Sequence, residues 1–246
     1  QVTTMLSQEE RELYQRQLII NGWGKEAQEK IKNTHLFIAG AGGLASPAAL
    51  YCAVAGFGKI TICDFDTISL SNLNRQILHN HTRMGMHKAD SAYATLTQTN
   101  PYIHVEIKNI KITTRNIQAL IENSHIILDC LDNFETRHIL NKACFQLQKP
   151  LIHAGVEGFS GQLTVVIPHQ TPCLSCFLPK KSNKKPIPIA GVTPGVMGTL
   201  QAMEAIKLVT GLGAVTTGKL LLFDGLAMRF SSISLEQNPA CKVCGK

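Results

Sequence analysis

Short apolar runs alternate with amphipathic stretches through the first two-thirds of the chain. The S-x-x-E form of Ser7-Gln8-Glu9-Glu10 predicts a capped helix from Ser7 to about Ile20. A second short helix is expected at Lys25–Lys32. His35–Ala39 is an apolar run that stops at Gly40, the signature of a strand buried on both faces. A glycine-rich turn and an apolar helix, Leu44–Ala55, follow, then a strand at Lys59–Asp64. The alternation continues with a helix at Ser91–Gln98, a strand at Ile103–Ile107, a helix at Thr113–Asn123 and a strand at His125–Cys130. Helix Glu135–Leu147 and strand Leu151–Ala154 close the series. Strand–helix alternation of this kind predicts an α/β, Rossmann-like, mostly parallel, doubly wound sheet.

The rhythm changes near Gly155. A strand is expected at Gln162–Ile167, then a stretch rich in Pro, Cys and Lys that runs to Pro194. Gly195–Thr210 is expected as a helix, with Leu220–Phe223 and Met228–Ser234 as a final strand pair. The expectation is one domain over residues 1–246: an N-terminal helical segment (1–33), a nucleotide-binding core (34–155), and a C-terminal part (156–246) carrying a metal-bound flap.

Composition narrows the class. With 246 residues, 44% hydrophobic and 17% charged, the chain can bury a sizeable core. No apolar run reaches the roughly 18 residues of a membrane span and no secretory signal opens the chain, so a cytoplasmic protein is expected. The net charge of +7 is modest. Its one cluster, Lys180–Lys185, reads as a solvated loop or as a guide for an acidic partner. No aromatic–basic interleaving points to nucleic acid.

The turn Gly40-Ala41-Gly42-Gly43-Leu44-Ala45 has the G-x-G-x-x-A form, in which glycines let backbone approach phosphate at a helix N-terminus. Asp64 ends the next strand, where an acid can bind ribose hydroxyls. These two features alone also fit a nicotinamide-dependent oxidoreductase. The following polar segment, Asp64 to Gln76, separates the readings. Arg75 can pair bidentately with phosphate, Asn72 can donate to it, and Lys88 adds a point charge. Asp132, at a strand's carboxyl end, suits Mg²⁺. His79 and His81 are expected at the surface or behind the site, and Trp23 in the core or an interface.

Asp64–Gln76, with the glycine turn and Asp132-Asn133, resembles the ubiquitin-activating-like superfamily, most nearly its MoeB/ThiF/HesA branch of sulfur-carrier adenylyltransferases. Tyr14-Gln15-Arg16-Gln17 and Leu200–Lys207 match further motifs of that family. The resemblance implies ATP-dependent adenylation of the C-terminal Gly-Gly carboxylate of a ubiquitin-like sulfur carrier, with a sulfurtransferase as a further partner. The implied catalytic set is Arg16, Arg75, Lys88 and Asp132. The implied nucleotide set is Gly40, Gly42, Gly43, Asp64, Asp66, Ser71, Asn72, Asn74, Arg75, Gln76, Lys88, Asp132 and Asn133. Arg16 is implied to act as an arginine finger in the neighbouring subunit, hence in a homodimer.

Of eight cysteines, four form two C-x-x-C pairs, Cys173/Cys176 and Cys241/Cys244, a set that suits a closed structural Zn²⁺ site. Cys52, Cys63, Cys130 and Cys144 are expected to be inert core residues. Many relatives carry a loop cysteine that forms a thioester or persulfide. Here none lies between Cys176 and Cys241, so adenylation without that covalent step is expected. Other readings are adenylation of another protein, a peptide or a tRNA, and a non-catalytic docking module.

Overall fold

The computed structural model describes residues 5–179 and 187–245. The Lys180–Lys185 cluster therefore lies outside the described residues, as do the first four residues and the last. The N-terminal helices are α1 (Gln8–Leu13), α2 (Gln15–Leu18) and α3 (Gly24–Lys32). Then come β1 (His35–Ala39), α4 (Ala45–Ala55), β2 (Lys59–Cys63), α5 (Lys88–Thr99) and β3 (His104–Lys108). They are followed by α6 (Ile117–Ile121), β4 (Ile126–Asp129), α7 (Phe134–Gln146), β5 (Leu151–Glu157) and β6 (Ser160–Val166). α8 (Val192–Thr210), β7 (Lys219–Asp224) and β8 (Arg229–Ser234) complete the chain.

The strands form one sheet in the order β3-β2-β1-β4-β5-β6-β7-β8. The first five in that order pair in parallel, and the last three join antiparallel. Leu36, Ile38, Ile60, Ile62, Leu128 and Ile152 feed one core; Phe37, Cys63, Ile127 and Leu151 feed the other. Alternate residues thus go to opposite faces, and helices cover both, which is why the central strands β1 and β4 are almost wholly apolar, whereas the edge strand β3 carries Glu106 and Lys108.

The capping box forms as expected: Glu10 N donates to Ser7 Oγ (3.2 Å) and Ser7 N to Glu10 Oε2 (2.7 Å). The single helix expected to Ile20 is instead broken at Tyr14. Tyr14 is buried and its hydroxyl accepts from Asn100 Nδ2 (2.8 Å), so tertiary anchoring overrides helix continuity. The expected helix at 113–123 shrinks to α6 because Asn116 Oδ1 takes the Thr113 N–H (2.8 Å) and holds a turn there. α8 starts earlier than expected, at Val192, with Pro194 in its first turn, where a missing N–H costs no helical hydrogen bond. Trp23 goes to the core and donates to Gln28 Oε1 (2.9 Å).

Candidate active site

β1 lies between β2 and β4, so the crossovers leave its carboxyl end in opposite directions. A crevice opens at such a switch point. The backbone seals the base of this crevice. Gly40 N donates to Cys63 O (2.8 Å) and Cys130 N to Ala39 O (3.1 Å). Gly40 has φ +97°, and a Cβ there would sit 2.9 Å from Cys130 O. The turn after β1 and the turn after β4, which carries Asp132, are therefore pressed together.

Asp64 organises the glycine turn. Its Oδ2 accepts from Ala41 N (2.7 Å) and its Oδ1 from Asp66 N (2.8 Å). Burial pushes its pKa up against those two N–H donors. Each oxygen keeps a lone pair for a sugar hydroxyl. The buried His79 supports the turn from behind, through Ala41 O (2.9 Å) and Ser91 Oγ (3.0 Å). Burial lowers its pKa, so it serves as a neutral donor. His81 begins a short 3₁₀ turn outside this contact.

The polar segment after Asp64 folds over the glycine turn. Ser69 N donates to Asn72 Oδ1 (3.1 Å), which leaves the Asn72 amide N–H₂ as a donor. Arg75 Nη1 donates to Ser71 O (2.8 Å) and Asn74 Oδ1 (2.9 Å). A Cβ on Gly43 would lie 3.3 Å from Pro194 and 3.4 Å from Arg75, and one on Gly42 would lie 3.6 Å from Gln76 Nε2. The glycines thus leave a cradle that any larger residue fills. Gln76 is buried, yet its Oε1 has no hydrogen-bond partner among the described residues. Such an orphan beside a glycine cradle fits a bound polar ligand.

Lys88 is buried and its Nζ is 2.9 Å from Asp66 Oδ2. Its backbone N–H donates to Asp66 O (2.9 Å), so the first turn of α5 is stitched to the segment after β2. Asp132 is exposed and, among the described residues, receives only a long bond from Asn133 Nδ2 (3.4 Å). Asn133 caps α7, with Oδ1 accepting from Thr136 N (2.9 Å). Its amide oxygen is therefore committed to the helix. Arg16 is exposed on α2 and lies away from this crevice within one chain. Its neighbour Gln17 donates to Ala55 O (3.2 Å), at the far end of α4 from the glycine turn. One 11-residue helix, about 16 Å, separates them.

Behind Asp132 lies a group of buried polar side chains that no motif in the sequence marks as a site. Asp129 Oδ1 accepts from Leu131 N (3.1 Å). Asp129 Oδ2 accepts from His153 Nδ1 (2.7 Å) and lies 3.6 Å from Arg137 Nε. Arg137 Nη2 donates to Leu131 O and to Ala154 O (2.9 Å). Burial pushes the Asp129 pKa up, but Arg137 and the His153 N–H outweigh it and hold the carboxyl below its usual range. Gln201, inside the late motif, ties α8 to Asp129 O (2.9 Å) and Ile152 O (3.0 Å). Asp129, His153 and Gln201 each stand out as a polar group in an apolar run, whereas Arg137 lies in the polar stretch 135–138 and carries no such signal.

The four cysteine sulfurs meet within 4.8 Å of one another. Sγ of Cys173 and Cys241 are 3.7 Å apart, and those of Cys176 and Cys244 are 3.3 Å apart. A tetrahedral Zn–S₄ site has S···S edges of about 3.8 Å, so the donor set and spacing fit. Burial raises the Cys241 pKa, but the backbone N–H groups of Cys244 and Val243 outweigh it and bring it to about 7. Cys52, Cys130 and Cys144 are buried with thiol pKa values pushed up by burial, and Cys63 is pushed up to about 12. All four are poor nucleophiles. A separate cavity of about 200 Å³ lies between β1–β3 and α6, lined by His35, Lys59, Glu106 and Lys108. Glu106 pairs with both lysines there (2.9 and 2.6 Å).

With this geometry in view, the chain matches the ThiF family over residues 14–243. It belongs to that family. It is 39% identical to the molybdopterin-synthase adenylyltransferase of Escherichia coli K12, covering 98% of this chain and 99% of that protein. It is also 39% identical to the adenylyltransferase and sulfurtransferase MOCS3 of Drosophila ananassae, over 98% of this chain. The chain spans 55% of that relative's length. Among solved structures, E. coli MccB with MccA-N7isoASN superposes at TM-score 0.85 and 22% identity, covering 98% of this chain and 76% of MccB. PaaA superposes at TM-score 0.81 and 21% identity, covering 96% of this chain and 76% of PaaA. These two likenesses bear on the fold alone. Among the described residues, no helix is long and apolar enough to cross a membrane.

Proposed function

We propose that this ThiF-family chain uses ATP to adenylate the C-terminal carboxylate of a small ubiquitin-like sulfur-carrier protein. The observation that carries the reading is the convergence of the glycine cradle, Asp64, Arg75 and the buried Lys88 at the switch point beside β1. A hydride-transfer site does not call for the two cations. The names of the E. coli and Drosophila relatives point to the same chemistry.

In this reading Asp64 binds ribose, and the N–H groups of the glycine turn meet the phosphates. The carrier carboxylate attacks the α-phosphorus; the new P–O bond forms as the bond to the β-phosphate oxygen breaks, and pyrophosphate leaves. Arg75 and Lys88 offset the charge that builds on the phosphate oxygens. Asp66 pairs with Lys88 until phosphate competes for it. Ser71, Asn72 and Asn74 supply hydrogen bonds at the rim, and the buried Gln76 supplies one from within the cradle. Bound at Asp132, beside Asn133, Mg²⁺ supplies further countercharge.

Arg16 acts in trans, in a homodimer. Two facts favour this: its distance from the site of its own chain, and the exposed Leu13, Ile19 and Ile20 around it. The cysteine quartet holds a structural Zn²⁺ that pins the C-terminal tail to the flap at Leu174–Cys176. With no cysteine between Cys176 and Cys241, the adenylate leaves without a thioester in that loop, to an acceptor such as a sulfurtransferase.

The test is ATP–pyrophosphate exchange with candidate carriers ending in Gly-Gly. Carrier-dependent exchange supports the reading. ATP binding with no exchange for any carrier, sulfur-carrying or not, would sink it.

A further inference from the structure

We propose that His153 is a positioning residue for Asp132, acting through Asp129 and the Leu131 peptide. The proposal rests on the adenylation reading for its kinetic readout alone. His153 is fully buried, and both ring nitrogens are engaged. Gln162 Nε2 donates to His153 Nε2 (3.2 Å), so the ring proton stands on Nδ1 and goes to Asp129 Oδ2 (2.7 Å). This bond holds one carboxylate oxygen and leaves Oδ1 for Leu131 N (3.1 Å). Arg137 holds the carbonyl of the same residue. Leu131 is therefore clamped at both ends of its backbone, and Asp132 follows it directly. Among the described residues, Asp132 has only a 3.4 Å bond to its neighbour Asn133. Its placement depends on the clamp, and the clamp depends on how Asp129 is turned.

A phenylalanine or valine at position 153 would serve packing alone. A buried histidine with two matched partners carries a desolvation cost that packing does not require. The edge of the His153 ring also meets Phe177, with ring centroids 6.5 Å apart. Phe177 directly follows Cys176, so the same histidine bridges the cysteine flap and the Asp132 turn.

Three variants separate placement from packing. His153→Asn keeps a donor near the Nδ1 position. His153→Gln moves its amide toward the Nε2 position, and His153→Ala removes both. In carrier-dependent ATP–pyrophosphate exchange, H153A and H153Q should lose about 10-fold in kcat, the usual scale for an outer-shell partner. Their KM for ATP should stay within about twofold, and H153N should recover most of the loss. Independently of any substrate, amide hydrogen exchange at Leu131 should speed up in H153Q and H153A but not in H153N. Equal behaviour of H153N and H153Q in both assays overturns the proposal, including the case in which H153A fails to fold. If no carrier supports exchange, the Leu131 amide still decides, so failure of the adenylation reading stays distinguishable.

Discussion

Asp129 and Asp132 are three residues apart, and the same substitution at each should have opposite consequences. Asp132 is exposed and has one long hydrogen bond among the described residues. Asp132→Asn should change stability by no more than about 0.5 kcal/mol. It should still lower ATP–pyrophosphate exchange at least about 100-fold, equivalent to ~2.7 kcal/mol of transition-state stabilisation. Asp129 is fully buried and accepts from His153 and Leu131, with Arg137 Nε 3.6 Å away. Asp129→Asn leaves the Arg137 charge buried without its partner. Breaking such a pair costs about 3–5 kcal/mol, which for a chain of this size lowers Tm by about 10 °C. The pH dependence follows from the sign of the shift. The folded pKa of Asp129 lies below the unfolded value, so its stabilisation is present above the ordinary carboxylate range and is lost as pH falls through the folded pKa. D129N should remove that part of the acid limb. Differential scanning calorimetry and the exchange assay, run on both variants, give the answer. If D132N melts as early as D129N, or if D132N keeps full exchange, the division into a structural and a functional aspartate is wrong.

Other outcomes follow from the same geometry. Metal analysis should find about one zinc per chain, and Cys241→Ser should lower both zinc content and Tm; a folded wild-type protein free of metal refutes the site. If Arg16 works across a dimer, co-expressed R16A and D132A chains should regain exchange that neither has alone. Random pairing sets a ceiling of about a quarter of the wild-type activity, and no recovery in a proven mixed dimer refutes action in trans. Glu106, held down to about 2 chiefly by its bond from Lys108, contributes stability above its ordinary pKa and loses it as pH falls toward 2. The Tm difference between wild type and Glu106→Gln should shrink over that window; a constant difference refutes the ion-pair account.

Much of this was legible in the sequence because it is local. The G-x-G-x-x-A turn, the S-x-x-E box and the apolar runs each act within a few residues, where backbone geometry and burial leave few choices. C-x-x-C spacing made a thiolate site readable although its halves lie 68 residues apart, since metal chemistry restricts the pairing. Tyr14 was not legible as a helix break. Its partner Asn100 is 86 residues away, and nothing local competes with helix there. The same holds for His153, Asp129 and Gln201, which look like stray polar residues in apolar runs, and for Arg137, which looks like one more polar residue on a helix.

Family and doubly wound sheet were readable from the order of residues alone, as was the set of polar and cysteine side chains on hand for a site. Packing in three dimensions settled which polar groups meet. It turned Asp64 to the glycine turn, left Gln76 Oε1 orphaned beside the cradle, separated Arg16 from the crevice of its own chain, and buried the clamp behind Asp132. The physical reason is range. Propensity and burial act along the chain, whereas hydrogen bonds and ion pairs in the interior depend on positions that exist only after β1, β4 and β5 have been laid side by side.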